Sequence, residues 1–411
     1  MMKSGLKKIS LVTCVCLILA MAFNAASACT NIYVGSALSA DGSTIFGRSE
    51  DYANSQNKLF YVAESGKHAA GEEYAGCYGF TWTFTHDSYG YTAFSDDNGE
   101  GVDFVCPDCG GTHPHTPYEA AGTNEKGVSM TATETIYGSE EIEAADPYTD
   151  EGIEEAEITT VVLCEADSAR AGIELLAGIY DTVGANNGSG IFIGDAAETW
   201  YIENVTGHQY VAVKLTDDMI MMQPNMVVIG EIDLDDTENV IASAGLVETA
   251  VAAGTFVGDQ ENNVINFVES YAGGTEPNAR MKDGVCYLTG CGIDDETCSD
   301  PATYLITNLD ENGSVAPVHT GIKPAQEKLT IADVQAFYHV PSIGYVRNLE
   351  SHIFQIYDDT ATGTVEWVAM NDTALAVFVP YLPMLTTDVY AAYKVSTPTA
   401  PFVEEEPTEG L

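Results

Sequence analysis

An α+β fold dominated by strands is the architecture this 411-residue sequence predicts, and three features predict it. Short segments with apolar residues at alternate positions recur along the chain. Gly, Asn or Asp turn signals separate many of them, and helical spacing is less frequent, clearest in three stretches.

The strand-like segments are TNIYVGSA (30–37), STIFGR (43–48), GFTWTFTH (79–86), GVSMTATET (127–135), GIFIGD (190–195), ETWYIENV (198–205) and QYVAVKL (209–215). Helical spacing marks 168–183, 259–272 and 330–340, the last opened by Thr330 with Asp333 three residues on, a near capping box. No internal repeat or interior linker interrupts the chain. One domain is expected over 29–395, with surface insertions near 96–120 and 138–157 and a Pro-rich, acidic, disordered tail at 396–411.

Residues 1–28 read as an export signal. Lys3, Lys7 and Lys8 precede an apolar run that stops short of the roughly 20 residues a membrane span needs. Ala26 and Ala28 fit the small-x-small pattern of signal cleavage, which places the cut before Cys29. A secreted or cell-surface location follows as an expectation, with the chain soluble once the signal is gone. The 62 acidic side chains against 15 basic ones, a formal charge of −47, exclude nucleic acid and anionic membrane as natural partners. That charge reads as a solvated acidic exterior.

Ten cysteines are present, with Cys14 and Cys16 inside the signal. Cys29 and seven others remain: Cys77, Cys106, Cys109, Cys164, Cys286, Cys291 and Cys298. The seven are an odd number, so spacing alone leaves their pairing open.

A cysteine at a new amino terminus joins a nucleophile to a base. The ordinary α-amine pKa of about 7.7–8.0 lies near that of a thiol at about 8.5, so the amine can take the thiol proton and return it to a leaving nitrogen. The strand that follows turns back through SALSADGS. A tight Asp41-Gly42 turn would set Arg48 opposite Gly35, about 20 Å along the strand from Cys29. A wider loop pairing Ser36 with Ser43 sets Arg48 opposite Asn31 and Glu50 opposite Cys29. Asp51 then points the other way unless the strand ends or bulges after Arg48. A guanidinium near the sulfur favours thiolate.

Cys29 followed by DGSTIFGRSED resembles the opening of the cysteine dipeptidase family of N-terminal nucleophile hydrolases, related to penicillin V acylase and bile salt hydrolase. The shared mark is an initial Cys with Gly-Arg-x-x-Asp downstream, matched here by Gly47, Arg48 and Asp51. GTNEKGVSMTATET (122–135), QPNMVVIGEIDLDD (223–236), RNLESHIFQI and EWVAMNDTALAVFVPYL extend the likeness over most of the mature chain. The resemblance implies a four-layer αββα sandwich and hydrolysis of dipeptides through a thioester on Cys29. It favours Asp51 over Glu50 as the amine's partner, with a strand break there. It also implies Asn225 as oxyanion donor, Arg280 as a further site arginine, and Thr133 and Glu134 as pocket-lining, substrate-binding residues. The partners it implies are small peptides, and no cofactor is called for. The stretch CPDCGGTHPHTP and the cysteine-rich 286–298 region depart from the family pattern.

Two other readings of Cys29 stand beside this one. The same machinery could cut a non-peptide N-acyl amide. Bacterial lipoproteins also start at a cysteine, which would make this a lipid-anchored surface binding protein, though their signals usually carry Leu where Ala26 stands. Cys106-x-x-Cys109 with His113 and His115 has ligand types for zinc at a spacing unlike the standard finger, so a disulfide or free loop thiols compete with a metal there. His319, His339 and His352 are read as structural, since neither a Gly-x-Ser-x-Gly elbow nor a His-Glu-x-x-His motif occurs.

Overall fold

Alternation in TNIYV and TIFGRSED builds an antiparallel pair whose register is the wider of the two expected: Asn31 faces Arg48, Ile32 faces Gly47 and Val34 faces Ile45. The loop is held by Asp41, whose Oδ1 accepts from the Ser43 hydroxyl (2.7 Å) and backbone N–H (3.2 Å), while Gly42 takes a left-handed φ of 81°. The computed structural model describes residues 29–51, 58–76, 79–96, 118–134, 136–292, 295–345, 348–358 and 363–394. The signal, most of the 96–120 stretch and the tail lie outside the described residues.

In chain order the strands of the two large sheets are β1 (Thr30–Val34), β2 (Thr44–Asp51), β3 (Lys58–Ala63), β4 (Tyr91–Asp96), β5 (Glu119–Thr123), β6 (Ser129–Glu134) and β7 (Ser189–Gly194). They continue with β8 (Thr199–Asn204), β9 (Tyr210–Leu215), β10 (Ile220–Gln223), β11 (Val240–Ala242), β12 (Asn348–Ile356), β13 (Thr364–Met370) and β14 (Val379–Tyr381). One sheet has six strands in the order β10-β1-β2-β12-β13-β14, and the other eight in the order β11-β9-β8-β7-β6-β5-β4-β3. The helices are α1 (Glu140–Ala145), α2 (Glu155–Glu165), α3 (Ala169–Thr182), α4 (Leu246–Ala253), α5 (Phe267–Tyr271), α6 (Ala279–Thr289), α7 (Pro301–Tyr304) and α8 (Ile331–Phe337). None of them is long and apolar enough to cross a membrane.

Aromatic rings join the two sheets. Phe46 of β2 stacks on Phe192 of β7 with centroids 5.7 Å apart, and His352 of β12 lies 4.9 Å from Phe94 of β4. The other face of the eight-stranded sheet buries Met130, Ile191, Ile193, Trp200 and Ile202 against Ile158, Val161 and Val162 of α2 and Ile173 and Leu176 of α3. At α6, Met281, Val285 and Leu288 join the core that contains Met222 of β10. Mixed helix and sheet, with sheet dominant, agrees with the expected α+β class.

The β1–β2–β12 contact depends on the smallest side chain. A Cβ on Gly47 would lie 2.2 Å from the His352 carbonyl oxygen, so the strands reach this spacing only with glycine there.

Two helices match expectation. Ser168 caps α3 by accepting from Ala171 N–H, and Thr330 and Asp333 form the reciprocal cap of α8. The helix expected over 259–272 does not form as such. Asp259 accepts from the Glu261 and Asn262 N–H groups, and Asn263 takes φ 53°, so the chain turns; Val264–Asn266 becomes a strand and only α5 is helical. The 138–157 stretch, expected as a surface insertion, holds Ile142, Ile153, Glu154 and Glu155 in the interior. Its acidic composition suggested solvent, but Glu155 meets a buried cation.

Glu366 of β13 is fully buried, and burial pushes its carboxyl up to about 8 from an ordinary 4.5. The native state then holds a proton that the unfolded chain releases, so this residue costs stability as pH rises from about 4.5 through about 8. Glu366→Gln should therefore gain thermal stability relative to wild type progressively between those limits and little below them. An unchanged melting-temperature difference across that window would contradict the buried neutral acid.

Candidate active site

Cys29 lies just ahead of β1 and is 4 % exposed. The register that places Arg48 opposite Asn31 puts Arg48 and Glu50 on the face of β2 that looks toward the eight-stranded sheet. There the Arg48 guanidinium, with no exposed surface, donates to the Ala132 carbonyl of β6, to Glu50 and to Glu155 Oε1 (2.6 Å), with Glu350 of β12 at 3.6 Å. The β5–β6 pairing ends at Thr131, which leaves the next carbonyl for this contact. Glu155 opens α2, where the helix dipole favours a carboxylate.

A second chain of contacts reaches the sequence around Cys29 from the opposite side. Asn278 caps α6 through Met281 N–H and donates to the Pro224 carbonyl (2.6 Å), which ties the first turn of the helix to the loop after β10. Arg280 in that turn donates to the Cys29 carbonyl, to Thr30 Oγ1 (3.1 Å) and to Asn225 Oδ1 (2.7 Å). Because arginine has only donors, the Asn225 carboxamide oxygen must face it, and Asn225 Nδ2 turns to the Glu134 carbonyl at 3.1 Å. Asn225 adopts φ 52°, a left-handed conformation that asparagine tolerates. Glu134 N–H donates to Glu155 Oε2 (2.9 Å), which closes the circuit back to Arg48. Thr133, buried beside it, donates to the Glu134 carbonyl at 3.2 Å.

The structure thus gathers Cys29, Arg48, Asn225, Arg280, Thr133 and Glu134 in one place. Asp51 stands on different terms from those expected. The strand does not break after Arg48; β2 runs on through Asp51, and alternation carries this residue to the face opposite Glu50. The irregularity falls on the partner instead, between Asn348 and Glu350 of β12. Asp51 accepts from Asn348 Nδ2, and Arg280 is the charge that acts most strongly on it. The zinc expectation at Cys106, Cys109, His113 and His115 falls outside the described residues.

Several site residues escaped sequence reading: Glu155, Lys58, Asp96, Asn348 and Glu350. Lys58 pairs with Glu50 (2.5 Å) and with Asp96. In LESHIF, polar Glu350 and His352 alternate with apolar Leu349 and Ile353 around Ser351, a period-two signal for a polar face turned inward, whereas the irregularity after Asn348 turns that residue to the other face with Asp51. Glu350 holds His352 Nδ1 at 2.9 Å, and burial keeps that imidazole below its usual range and neutral at pH 7. His352 is held in the interior between Glu350 and Phe94.

Two cations, Arg48 and Lys58, face four carboxylates here, and the balance bears on the sulfur. Burial pushes the Cys29 thiol up to about 12, against the pull of Arg48 and aided by Glu155, Glu50 and Asp51. Burial also raises Asp51 to about 8, against Arg280 and Asn348. The thiol therefore needs a proton acceptor to react at neutral pH, and Arg48 is the group that steadies the anion formed. Glu155→Gln keeps the shape and removes one repelling charge, so the pH midpoint of Cys29 alkylation by a small electrophile should move down. A midpoint that stays put or rises would show that Glu155 does not act on the sulfur.

The model of peptidase family C69 matches residues 28–283 of the chain. A protein named probable dipeptidase B from Streptococcus pyogenes serotype M1 is 31 % identical over 386 residues, covering 89 % of this chain and 74 % of its own. A probable dipeptidase from Salmonella dublin is 31 % identical over 370 residues, covering 86 % and 80 %. Among solved structures, penicillin V acylase from Agrobacterium tumefaciens is similar at 11 % identity and TM-score 0.33, covering 83 % of this chain and 82 % of that one. Match length and identity to the curated relatives agree with the Gly47-Arg48-x-x-Asp51 opening, and the chain belongs to peptidase family C69.

Proposed function

We propose that this chain is an exported dipeptidase that hydrolyses dipeptides through a thioester on Cys29, with the α-amine freed by removal of residues 1–28 as its base. We place this chemistry in a four-layer αββα sandwich of the N-terminal nucleophile hydrolase type. The observation that carries the reading is the circuit in which Arg280 grips the Cys29 carbonyl and Asn225 together. Family membership and relatives named as dipeptidases support it.

The α-amine takes the thiol proton, and the thiolate attacks the peptide carbonyl carbon. Asn225 Nδ2 donates to the resulting oxyanion, and Arg280 keeps the amide turned the right way. The peptide C–N bond breaks as the ammonium returns its proton to the leaving nitrogen, which leaves a thioester. Water, deprotonated by the same amine, attacks the thioester, and the thiol is restored. Asp51 and Arg48 are positioning groups for amine and sulfur, and Thr133 and Glu134 line the substrate side. No metal or organic cofactor enters any step.

Burial of Cys29 favours this reading over lipid attachment, because acyl chains on a residue 4 % exposed would have to leave the interior. Intact mass and amino-terminal analysis of the exported protein should show Cys29 first and unblocked; a diacylglyceryl adduct would end the proposal. Cys29→Ala should abolish dipeptide hydrolysis while EDTA leaves the wild type active. Asn225→Ala should lower kcat by about 10²–10³, the usual loss of one oxyanion donor. Preference for N-acyl amides over free dipeptides would move the assignment to an acylase acting by the same steps.

A further inference from the structure

Cys286, in the last turn of α6, is followed by Gly290, whose φ of 70° ends the helix and swings Cys291 back beside it. Cys298 closes the group from a single 3₁₀ turn, and the three sulfur atoms all lie within 4.8 Å of one another. Cys291 and Cys298 form a disulfide and Cys286 is a free thiol. The Cα atoms of the bonded pair stand 6.9 Å apart, just past the span of about 4.4–6.8 Å usual for disulfides. This placement also suits two sulfurs on one metal ion. Cys298 is buried, whereas Cys286 and Cys291 keep partial access to solvent.

We propose that Cys286, Cys291 and Cys298 form a three-thiolate site for a zinc-class divalent metal ion, opened by reduction of the Cys291–Cys298 disulfide. The proposal is independent of the hydrolytic reading. A dithiol reductant supplies two electrons and two protons to the S–S bond and leaves as its own cyclic disulfide. Metal binding then replaces three thiol protons with three metal–sulfur bonds, and a water completes the fourth position. Because protons are released, affinity should rise with pH.

The test uses full mature protein carrying Cys106→Ser and Cys109→Ser, so that the other cysteine pair cannot contribute. After treatment with a phosphine reductant and its removal under argon, Co²⁺ is titrated as the probe and followed by thiolate-to-cobalt charge-transfer absorption. One Co²⁺ per chain is expected, displaced by Zn²⁺, with no such binding before reduction. Adding Cys286→Ser, at a partly exposed position, should weaken binding by more than about tenfold. Equal binding with and without Cys286, or no charge-transfer band in reduced protein, would overturn the site. Migration of the disulfide to Cys286 in oxidised protein, with no metal uptake on reduction, would overturn it in favour of exchange.

Discussion

A guanidinium with no exposed surface is the constraint around which this molecule is arranged. Removing a charge from water costs several kcal/mol unless its donors are met and its charge opposed, so Arg48 demands acceptors from every direction. They arrive from β2 itself, from the open carbonyl of β6, from the start of α2 and from β12. Those elements belong to both sheets and to a helix packed on the second sheet. The electrostatics of one residue thus spans the layers that hydrophobic packing holds together.

The second arginine works by a different economy. Arg280 reaches its partners from the first turn of a helix that is itself anchored to the loop after β10, and it binds backbone and side chain of segments about 250 and 55 positions away in the chain. Arg48 acts on the sulfur through space, whereas Arg280 holds the carbonyl end of the same residue and the amide of Asn225. The two arginines thus divide the work between charge and placement, with Glu134 and Glu155 as the joint between them.

What could be read from the linear sequence followed the range of the interactions involved. The β1–β2 register was narrowed to two because it depends on a local loop, and the wider one, which the structure adopts, sets Arg48 opposite Asn31. The cap at Thr330 was legible for the same reason. Glu155 was not, because acidic residues in a row look like solvent until a buried cation 107 positions away claims one of them. The 259–272 stretch misled because its apolar spacing fits a helix while Asn263 turns the backbone out of it. For Asp51, strand alternation alone gave the face it takes, while the break that the resemblance implied in β2 does not occur and the irregularity lies on β12.

Gly47 gives the Gly-Arg pair a meaning that chemistry alone does not. With the His352 carbonyl 2.2 Å from where a methyl would sit, this position works as a spacer, setting how closely two strands lie and so how deep the neighbouring guanidinium is seated. A residue without a side chain thereby governs the seating of a buried charge. The Gly-Arg pair of the opening motif thus sets interstrand separation as well as charge.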